Sequence, residues 1–464
     1  MATESSVDPN QTPAPAPQPG NRREQFGWYF YDWANSAFST TVGAVFLGPY
    51  VSSLTEQAAG PDGLVRLLGI PIAPYSLVSY CITISVILQV LFLPILGAIA
   101  DYSSLRKRLL QIFAVAGSVV TMFMFFVTDQ TWWLGCLLFI VANLCFGAAI
   151  VFYNAFLPDI AEPDERDRVS SVGWALGYLG GGILLTLNLV LFLMRDTIGI
   201  DSGMAVRINL FSAGLWWFGW SFVTWRLLQS RDIAKALPPG ETYLSTGLKQ
   251  LWTTFKETAK YPHTIRFLLA YLLYNDGIQT VFASAAIFAA APLIQGGLGI
   301  EQGMLTQIIL MIQFVAFGGA LLFGRIAIRI GAKRALVIGL VIWTVVVIYA
   351  YLGLRGENRI LEFWILGAFI ALVMGGTQAV SRSLFANMIP QGKEAEFFSI
   401  YEVSERGTSW LGPLAFGLVN QFSGSLRPAI LSIILFFVVG LLLLLRVDVR
   451  LAIEESGNKA PAVI

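Results

Sequence analysis

Polar and ionisable side chains recur at helical spacing inside the long apolar segments of this sequence. The first segment carries four of them at positions i, i+3, i+4 and i+7, which share one helix face: Asp32, Asn35, Ser36 and Ser39. An ionisable group deep in a bilayer costs roughly 2.5–3.5 kcal/mol, so such groups normally face a solvated cavity or a partner. The stripe therefore predicts a solvated path along this helix. An alternative stays open for Asp32, which lies near one end of its segment and could cap a helix or pair with an arginine.

A second stripe of the same kind lies in the seventh apolar segment. It consists of Asp276, Gln279, Thr280 and Ser284, and Asn275 adjoins it. A carboxyl group in a low-dielectric site can take up a proton near neutral pH. We therefore predict that Asp276 and Asp32 couple protons to the function of the chain. Further candidates for lining the same path are aromatic or amide residues: Tyr178, Tyr271, Tyr274 and Gln378.

Long apolar runs must position these residues. We predict twelve of them, at 26–52, 76–100, 109–127, 132–153, 169–194, 206–228, 264–293, 303–323, 335–354, 360–386, 397–421 and 427–446. About 20 apolar residues span the roughly 30 Å hydrocarbon core as a helix. Hydrophobic residues make up 56% of the chain and charged residues 13%, and the mean hydropathy is +0.68. The pattern predicts an all-α integral membrane protein with twelve transmembrane helices.

Basic residues predict how these helices are oriented. When the loops are assigned alternately to two sides, most of the 30 Lys and Arg residues fall on one side. The other side receives only Arg66, Arg195, Arg207, Arg355, Arg359 and Arg427. Positive residues stay cytoplasmic, so both termini are predicted to be cytoplasmic. An even number of spans independently requires both termini to lie on one side.

The breaks between the runs define five regions. Residues 1–23 are polar and Pro-rich and are predicted to form a disordered cytoplasmic tail. Residues 24–228 and 264–446 form two six-helix bundles. The linker at 229–263 carries apolar and basic residues at helical spacing, which predicts either an amphipathic helix on the membrane surface or a plain connecting helix. Residues 447–464 form a second cytoplasmic tail.

Several kinds of chemistry are excluded or disfavoured. Cys81, Cys136 and Cys145 lie inside apolar runs. We interpret them as small apolar packing residues. With His263 as its one histidine, the chain is not expected to bind a metal. It contains no Gly-x-x-x-x-Gly-Lys-Ser/Thr loop for a nucleotide, and its net charge of +1 indicates no nucleic-acid partner. We expect no cofactor and no enzymatic activity.

Weak internal repetition relates the two halves. Gly97 to Ala100 leads to the basic pair Arg106-Lys107, and Gly324 to Ala327 leads to Lys333-Arg334. The segment from Gly97 to Arg108 resembles the loop 2–3 signature of the major facilitator superfamily. In that signature an acidic residue, here Asp101, is followed by a basic cluster. Two pseudo-symmetric halves are one known transporter architecture.

A narrower resemblance is carried by the segment Tyr31-Asp32-Trp33-Ala34-Asn35-Ser36-Ala37. It resembles the opening signature of the unknown major facilitator family, similar to the fungal vacuolar amino-acid effluxers. Three further segments fit that group: Asn154 to Ala161, Tyr274 to Val281, and Glu405 to Gly407. The resemblance implies a transporter with two pseudo-symmetric six-helix bundles. For the fungal relatives it implies export of amino acids from a vacuole.

The same resemblance implies a gate at the cytoplasmic ends of the helices. In the superfamily, the acidic residue at the position of Asp101 meets helix 11 when the transporter opens outward. The gate is predicted to comprise Asp101, Arg106, Lys107, Arg108, Glu402, Glu405 and Arg406. Glu402 and Arg406 are spaced i, i+4 and can pair along one helix. The alternative is a static stabilising network. The acidic loop 155–168 is expected to pair with the basic cluster.

The sequence thus predicts a secondary active transporter that moves a small polar solute by alternating access. Acids, amides, hydroxyls and aromatics along the path suit an amino acid, but also a sugar or a cationic drug. Arg382 could meet a carboxylate if it points inward, or could anchor a helix end. A sensor or scaffold with the same fold but no transport is the alternative. We expect a monomer in the bacterial inner membrane, with the solute, protons and lipid as partners.

Overall fold

The structure of the chain is a computed structural model. It describes residues 22–67, 69–72, 74–103, 105–229, 260–300, 302–406, 411–423 and 425–464, together with scattered positions between 230 and 259. The predicted N-terminal tail, apart from its last two residues, lies outside the described residues. Most of the predicted linker helix lies outside them as well.

Long helices lie over every predicted apolar run. In the first half they are α1 (Arg22–Gln57), α2 (Pro74–Tyr102), α3 (Arg106–Phe123), α4 (Trp132–Ala155), α5 (Arg166–Leu193) and α6 (Ser202–Leu227). In the second half they are α7 (Pro262–Ala290), α8 (Gln302–Ile330), α9 (Ala332–Leu352), α10 (Arg359–Asn387), α11 (Glu394–Arg406 and Leu411–Ser423) and α12 (Leu426–Ser432 and Ile434–Leu445). Between α1 and α2 the strands β1 (Val65–Leu67) and β2 (Ile70–Ile72) pair antiparallel.

Nine of the described helices are long and apolar enough to cross a membrane. The helices outside this set are α6, α7 and α11. These helices carry more polar residues, such as Asn275 and Asp276 in α7 and Glu402 and Glu405 in α11. The multi-pass membrane fold is therefore confirmed, and the count of twelve spans stays a prediction.

The two halves meet along a few helix pairs. Helix α5 packs against α8 and α10, and α2 and α4 pack against the first part of α11. Small residues permit the close approach, since a Cβ atom on Gly324 of α8 would lie 2.4 Å from Ser171 Oγ of α5. Each half also has its own apolar packing, for example Phe38 against Trp217 in the first half and Trp343 against Phe437 in the second.

The first turns of α1 and the C-terminal residues approach one face of the bundle, which we call the terminal face. The Gln25 side chain donates to Ile160 O at 3.0 Å, and the Ala462 amide donates to the nearby Asp164 carboxylate. The predicted C-terminal tail is packed against the protein rather than extended. It forms a short helix, Val449–Glu455, and Asn458 donates to backbone carbonyls at the end of α10 and just beyond it.

Candidate functional site

A cavity of about 480 Å³ lies between the two halves. Polar groups from α1, α4, α5, α7, α8, α10 and α11 line it: Asp32, Asn35, Ser36, Ser39, Asn143, Asn154, Tyr178, Gln279, Gln313, Gln378, Arg382, Glu402 and Glu405. The predicted stripe on α1 therefore faces this space in full. The wall continues toward the face opposite the terminal face through Gly43 and Ala44 of α1 and Ile82 of α2.

Helix α1 changes its winding where it borders the cavity. Residues Phe38–Phe46 form a π-helical segment between two α-helical parts. Such segments are rare and frequently occur at functional sites. Ser39 and Thr40 from this segment line the cavity, and both hydroxyls donate to Ser36 O. The wider turn thus presents polar groups to the cavity while their hydrogen bonds stay satisfied.

The predicted stripe on α7 is placed differently, because only Gln279 of this stripe lines the cavity. Asp276 is 1% exposed and its Oδ2 accepts the Gly412 amide at 2.8 Å. Thr280 packs against the same glycine, whose Cβ would lie 2.0 Å from Thr280 Oγ1. Gly412 lies at the start of the second part of α11, where backbone N–H groups have no partner within the helix. Asp276 therefore caps α11, and the structure does not place it or Thr280 in the cavity wall.

The other α7 candidates also lie behind α10 and α11 rather than in the wall. Tyr271 Oη donates to Glu405 Oε2 at 2.8 Å, and Asn275 Nδ2 donates to Glu405 O at 3.4 Å. Tyr274 Oη and Ser381 Oγ are 2.6 Å apart. These residues pack behind the cavity wall. Tyr271 and Asn275 hydrogen-bond to Glu405 and so fix its position in the wall.

Arg382 of α10 pairs with Asp32 of α1 in the cavity wall. Its Nη1 and Nη2 donate to Asp32 Oδ2 at 3.1 and 3.2 Å. Nη1 also donates to Asn154 Oδ1, while Nε and Nη2 donate to Ser170 Oγ and O. Each of the five guanidinium N–H groups therefore has an acceptor. Asp32 thus pairs with an arginine of the opposite half, and the pair joins the halves as well as lining the cavity.

Aromatic rings surround the guanidinium of Arg382. Its Cζ atom lies 4.7 Å from the Trp28 ring centre, 5.3 Å from that of Trp174 and 5.6 Å from that of Tyr153. The arginine side chain is only 3% exposed. Cation–π attraction is stronger at desolvated sites. The three rings therefore stabilise the positive charge and fix its position at the base of the cavity.

A glycine makes room for this ion pair, and we expect Gly173→Ala to disrupt it. A Cβ atom on Gly173 would lie 2.9 Å from Asp32 Oδ2 and 3.1 Å from Arg382 Nη2. Overpacking of this kind typically costs about 1–3 kcal/mol. We expect a lower unfolding temperature and reduced solute flux in proteoliposomes. Gly219→Ala is the control, since nothing lies within 4 Å of its Cβ position. Equal behaviour of the two variants would contradict the role of Gly173.

At the terminal face, Asp101 at the end of α2 meets the start of α11. Its Oδ1 accepts the Ala395 amide at 3.0 Å and its Oδ2 accepts the Glu396 amide at 2.7 Å. A carboxylate is favourable at a helix N-terminus. Gly97 lets α2 approach, because its Cβ would lie 2.6 Å from Ala395 O. Asp101 thus closes the two halves against each other at this face.

Arg106 extends this contact to both halves. Its Nη2 donates to Asp101 Oδ1 at 3.2 Å and to Glu394 Oε2 at 3.1 Å. Its Nη1 donates to Asp159 Oδ2 at 2.7 Å, so the expected pairing of the acidic loop with the basic cluster is present. Lys107 is half-buried and Arg108 is exposed, and the contacts described here come from Arg106. The side chain of Arg406, also predicted for the gate, lies outside the described side chains.

A second contact, which the sequence did not predict, lies at the end of α10. Arg166 Nη1 donates to Ala386 O at 2.9 Å and to Asn387 Oδ1 at 2.8 Å. A cation is favourable at a helix C-terminus. Ser383 donates a short hydrogen bond to Asp167 beside it. In the sequence Arg166 lies in the predicted acidic loop, where charged residues are usually solvated, and nothing in its spacing points to α10.

Glu402 and Glu405, predicted for the gate, instead line the cavity from α11. Glu402 Oε1 accepts Asn154 Nδ2 at 3.1 Å, and Tyr178 Oη donates to Gln378 Oε1 at 2.5 Å. These contacts also cross between the halves. The interface thus consists of a cluster of charged contacts at the terminal face and a polar layer at the cavity, and a gating role for the cluster stays a prediction.

Comparison with known proteins identifies the family of this chain. The family model described as "Vacuole effluxer Atg22 like" matches residues 20–457. The MFS-type transporter YxiO of Bacillus subtilis (strain 168) is 32% identical over 440 residues, which cover 94% of this chain and 97% of YxiO. Autophagy-related protein 22-1 of Penicillium rubens is 26% identical over 564 residues, with 97% and 94% covered.

Solved structures share the fold. The proton:xylose symporter XylE superposes with a TM-score of 0.66 at 12% identity, covering 91% of this chain and 93% of XylE. A bacterial homologue of the iron transporter ferroportin in its outward-facing state gives 0.63 at 12% identity, with 92% and 98% covered. At this identity the likeness concerns the fold alone. The family match and the relatives show that the chain is a multi-pass membrane transporter of the major facilitator superfamily, not an enzyme, and that it belongs to the family described as "Vacuole effluxer Atg22 like".

Proposed function

We propose that the chain exports a small polar solute, with amino acids as the leading class, by rocking its two halves about the central cavity. The observation that carries this proposal is the cavity itself, which both halves line, while the Asp101 and Arg166 contacts join the two halves at the terminal face. We take this face to be cytoplasmic, from the excess of basic residues. Breaking the same contacts would open the cavity to the cytoplasm.

The lining supports a polar solute of modest size. A volume of about 480 Å³ is in the usual range for small-molecule sites. Amides, hydroxyls and carboxylates occupy its wall, and this set suits a zwitterion such as an amino acid. The effluxer description of the family supports the outward direction. The likeness to a Bacillus subtilis relative supports a bacterial plasma membrane as the location, and we propose that the chain works there as a monomer.

We further propose that Asp32 is the coupling group for protons. Its carboxylate holds Arg382 across the interface between the halves. Protonation would remove the negative charge and leave Arg382 with Ser170, Asn154 and the three rings as partners. A proton on Asp32 would therefore loosen one link between α1 and α10. Asp276 is the weaker candidate for this role, because it caps α11 outside the cavity wall.

A flux experiment with purified protein tests both steps. Proteoliposomes with a pH gradient are loaded with labelled amino acids, and efflux is followed with and without the gradient. We expect gradient-driven efflux by the wild type. Asp32→Asn is expected to lose the response to the gradient while it still exchanges labelled for unlabelled solute, because the amide cannot carry the proton. Asp276→Asn is expected to keep the response, since its amide oxygen can still cap α11.

The control is Asp62→Asn, which removes an exposed carboxylate paired with Arg66 outside the cavity. Absence of flux for every solute tested would contradict transport and favour a sensor or scaffold. An undiminished gradient response in Asp32→Asn would leave transport standing and reject Asp32 as the coupling group.

A further inference from the structure

The charges in the cavity wall are not balanced. Among the described side chains that line the cavity, the formally charged ones are Asp32, Arg382, Glu402 and Glu405. Asp32 and Arg382 neutralise each other in one ion pair. Glu402 already accepts a hydrogen bond from Asn154 across the interface. Glu402 is only 2% exposed, whereas Glu405 is half-buried, so Glu405 is the carboxylate that a solute in the cavity can reach.

Glu405 is held in place by neutral groups. Tyr271 Oη donates to its Oε2 at 2.8 Å, and Asn275 Nδ2 donates to its backbone oxygen at 3.4 Å. The side chain is only half-buried. These contacts orient the carboxylate but do not cancel its charge. Both hydrogen bonds leave Oε1 of Glu405 unused, so among the described side chains this oxygen can still accept from a ligand.

Arg382, in contrast, offers no free donor to a ligand in this state. All five of its N–H groups already have acceptors on Asp32, Asn154 and Ser170. An anionic group could bind this arginine only after displacing Asp32. Among the described side chains, the cavity wall therefore presents a negative charge at Glu405 that no cation pairs with, and no unused donor on its arginine.

Aromatic rings adjoin the same part of the wall. Tyr401 lines the cavity, but its ring already stacks on those of Tyr271 and Phe385, with ring centres 4.2 and 5.0 Å apart, so it contributes its edge and hydroxyl rather than an open face. Tyr178 lines the cavity from α5. Aromatic faces attract ammonium groups by about 0.5–1 kcal/mol at exposed sites and more where water is excluded. A carboxylate with neighbouring tyrosines suits an organic ammonium better than a strongly hydrated metal ion.

We infer that Glu405 binds the ammonium group of the transported solute and that the protein selects solutes carrying such a group. The inference rests on the proposed function, since it names the chemistry of the same cavity. Tyr271 acts here as a positioning residue, because it touches Glu405 and lies outside the cavity wall. Uncharged solutes of equal size and shape would lack this contact and bind more weakly.

Binding to the purified full-length protein in detergent tests the inference. The probes are leucinamide and isocaproamide, which share one carbon skeleton and differ in the ammonium group; butylamine and butanol form a second pair. Ligand-induced rise in unfolding temperature gives the affinity. We expect the wild type to prefer the amine of each pair. Glu405→Gln is expected to weaken binding of the amines about tenfold or more, as for loss of a hydrogen bond to a charged group, and to leave the neutral probes within about twofold.

Tyr271→Phe keeps the carboxylate but removes its orienting hydroxyl, so a smaller loss for the amines alone is expected. Glu362→Gln is the matched control, because Glu362 also accepts from a tyrosine hydroxyl, that of Tyr349, but lies outside the cavity lining. Equal affinity of the wild type for amine and neutral probes would overturn the inference, as would unchanged amine affinity in folded Glu405→Gln.

The two proposals fail separately. If amines bind through Glu405 but no solute crosses proteoliposomes, transport is contradicted and the ammonium site stands. If flux is measured but the wild type shows no preference for amines, the ammonium site is rejected and transport stands.

Discussion

Replacing Arg382 with glutamine is expected to abolish transport and to destabilise the protein by about 3–5 kcal/mol, the usual effect of removing one partner from a buried ion pair. The variant leaves Asp32 without its cation, and the Asp32 side chain is 13% exposed. Ser170 and Asn154 lose a hydrogen-bond partner as well. The measurement is thermal unfolding in detergent together with flux in proteoliposomes.

The double variant Asp32→Asn/Arg382→Gln separates stability from function. With both charges removed, we expect most of the lost stability to return, because no buried charge is left unpaired, and flux to stay absent. Arg427→Gln is the control for a destabilised arginine variant. Arg427 donates to the carbonyls of Tyr351, Gly353 and Leu354 away from the cavity. Recovery of flux in the double variant would show that the pair is structural scaffolding only.

Arg382 also illustrates how far the sequence alone can predict the site. An arginine inside an apolar helix must find a partner or a cavity. Its position in the chain does not predict whether it finds a partner or a cavity. Asp32 lies on the other half and comes close only after both bundles have packed. The sequence therefore left open both a partner for Asp32 and an inward position for Arg382. In the structure both hold, because Asp32 and Arg382 form one ion pair in the cavity wall.

The stripe on α7 shows a different limit. Helical periodicity predicts which residues share a face, and Asp276 and Thr280 do share one. It does not predict what that face meets. Here it meets α11, whose second part begins at Leu411 and needs an acceptor for its first N–H groups. The α1 stripe, by contrast, meets the space between the halves, so the same reasoning placed Asp32, Asn35 and Ser36 in the cavity wall.

The contacts at the terminal face were also only partly predictable from the sequence. Asp101 was predictable, since a resemblance carried by neighbouring residues named both the residue and the helix it meets. Glu394 and Arg166 carried no such signal, because charged residues near loops are common and usually solvated. Their contacts depend on where α10 ends and α11 begins, which the sequence does not fix relative to the other half.

Replacing Asp101 with alanine is expected to shift the protein toward a state that is open at the terminal face. The variant loses two hydrogen bonds to the first turn of α11 and the contact with Arg106. Hydrogen bonds to charged groups contribute about 1.5–3 kcal/mol. Since about 1.4 kcal/mol changes an equilibrium tenfold, the closed population should fall at least about tenfold relative to the open one.

Distances between spin labels at Arg108 and Gln391 report this shift, because both residues are exposed and lie on opposite halves near the gate. The three native cysteines are first replaced. A longer distance in Asp101→Ala supports a gate. Lys107→Ala is the control, since Lys107 follows Arg106 in the first turn of α3 but makes none of the described hydrogen bonds to Asp101 or α11. The contrary outcome is that Asp101→Ala lowers only the amount of folded protein and leaves the distances unchanged. The contact would then be a static stabilising network. Opening of the terminal face would depend on the Arg166 and Arg382 contacts instead.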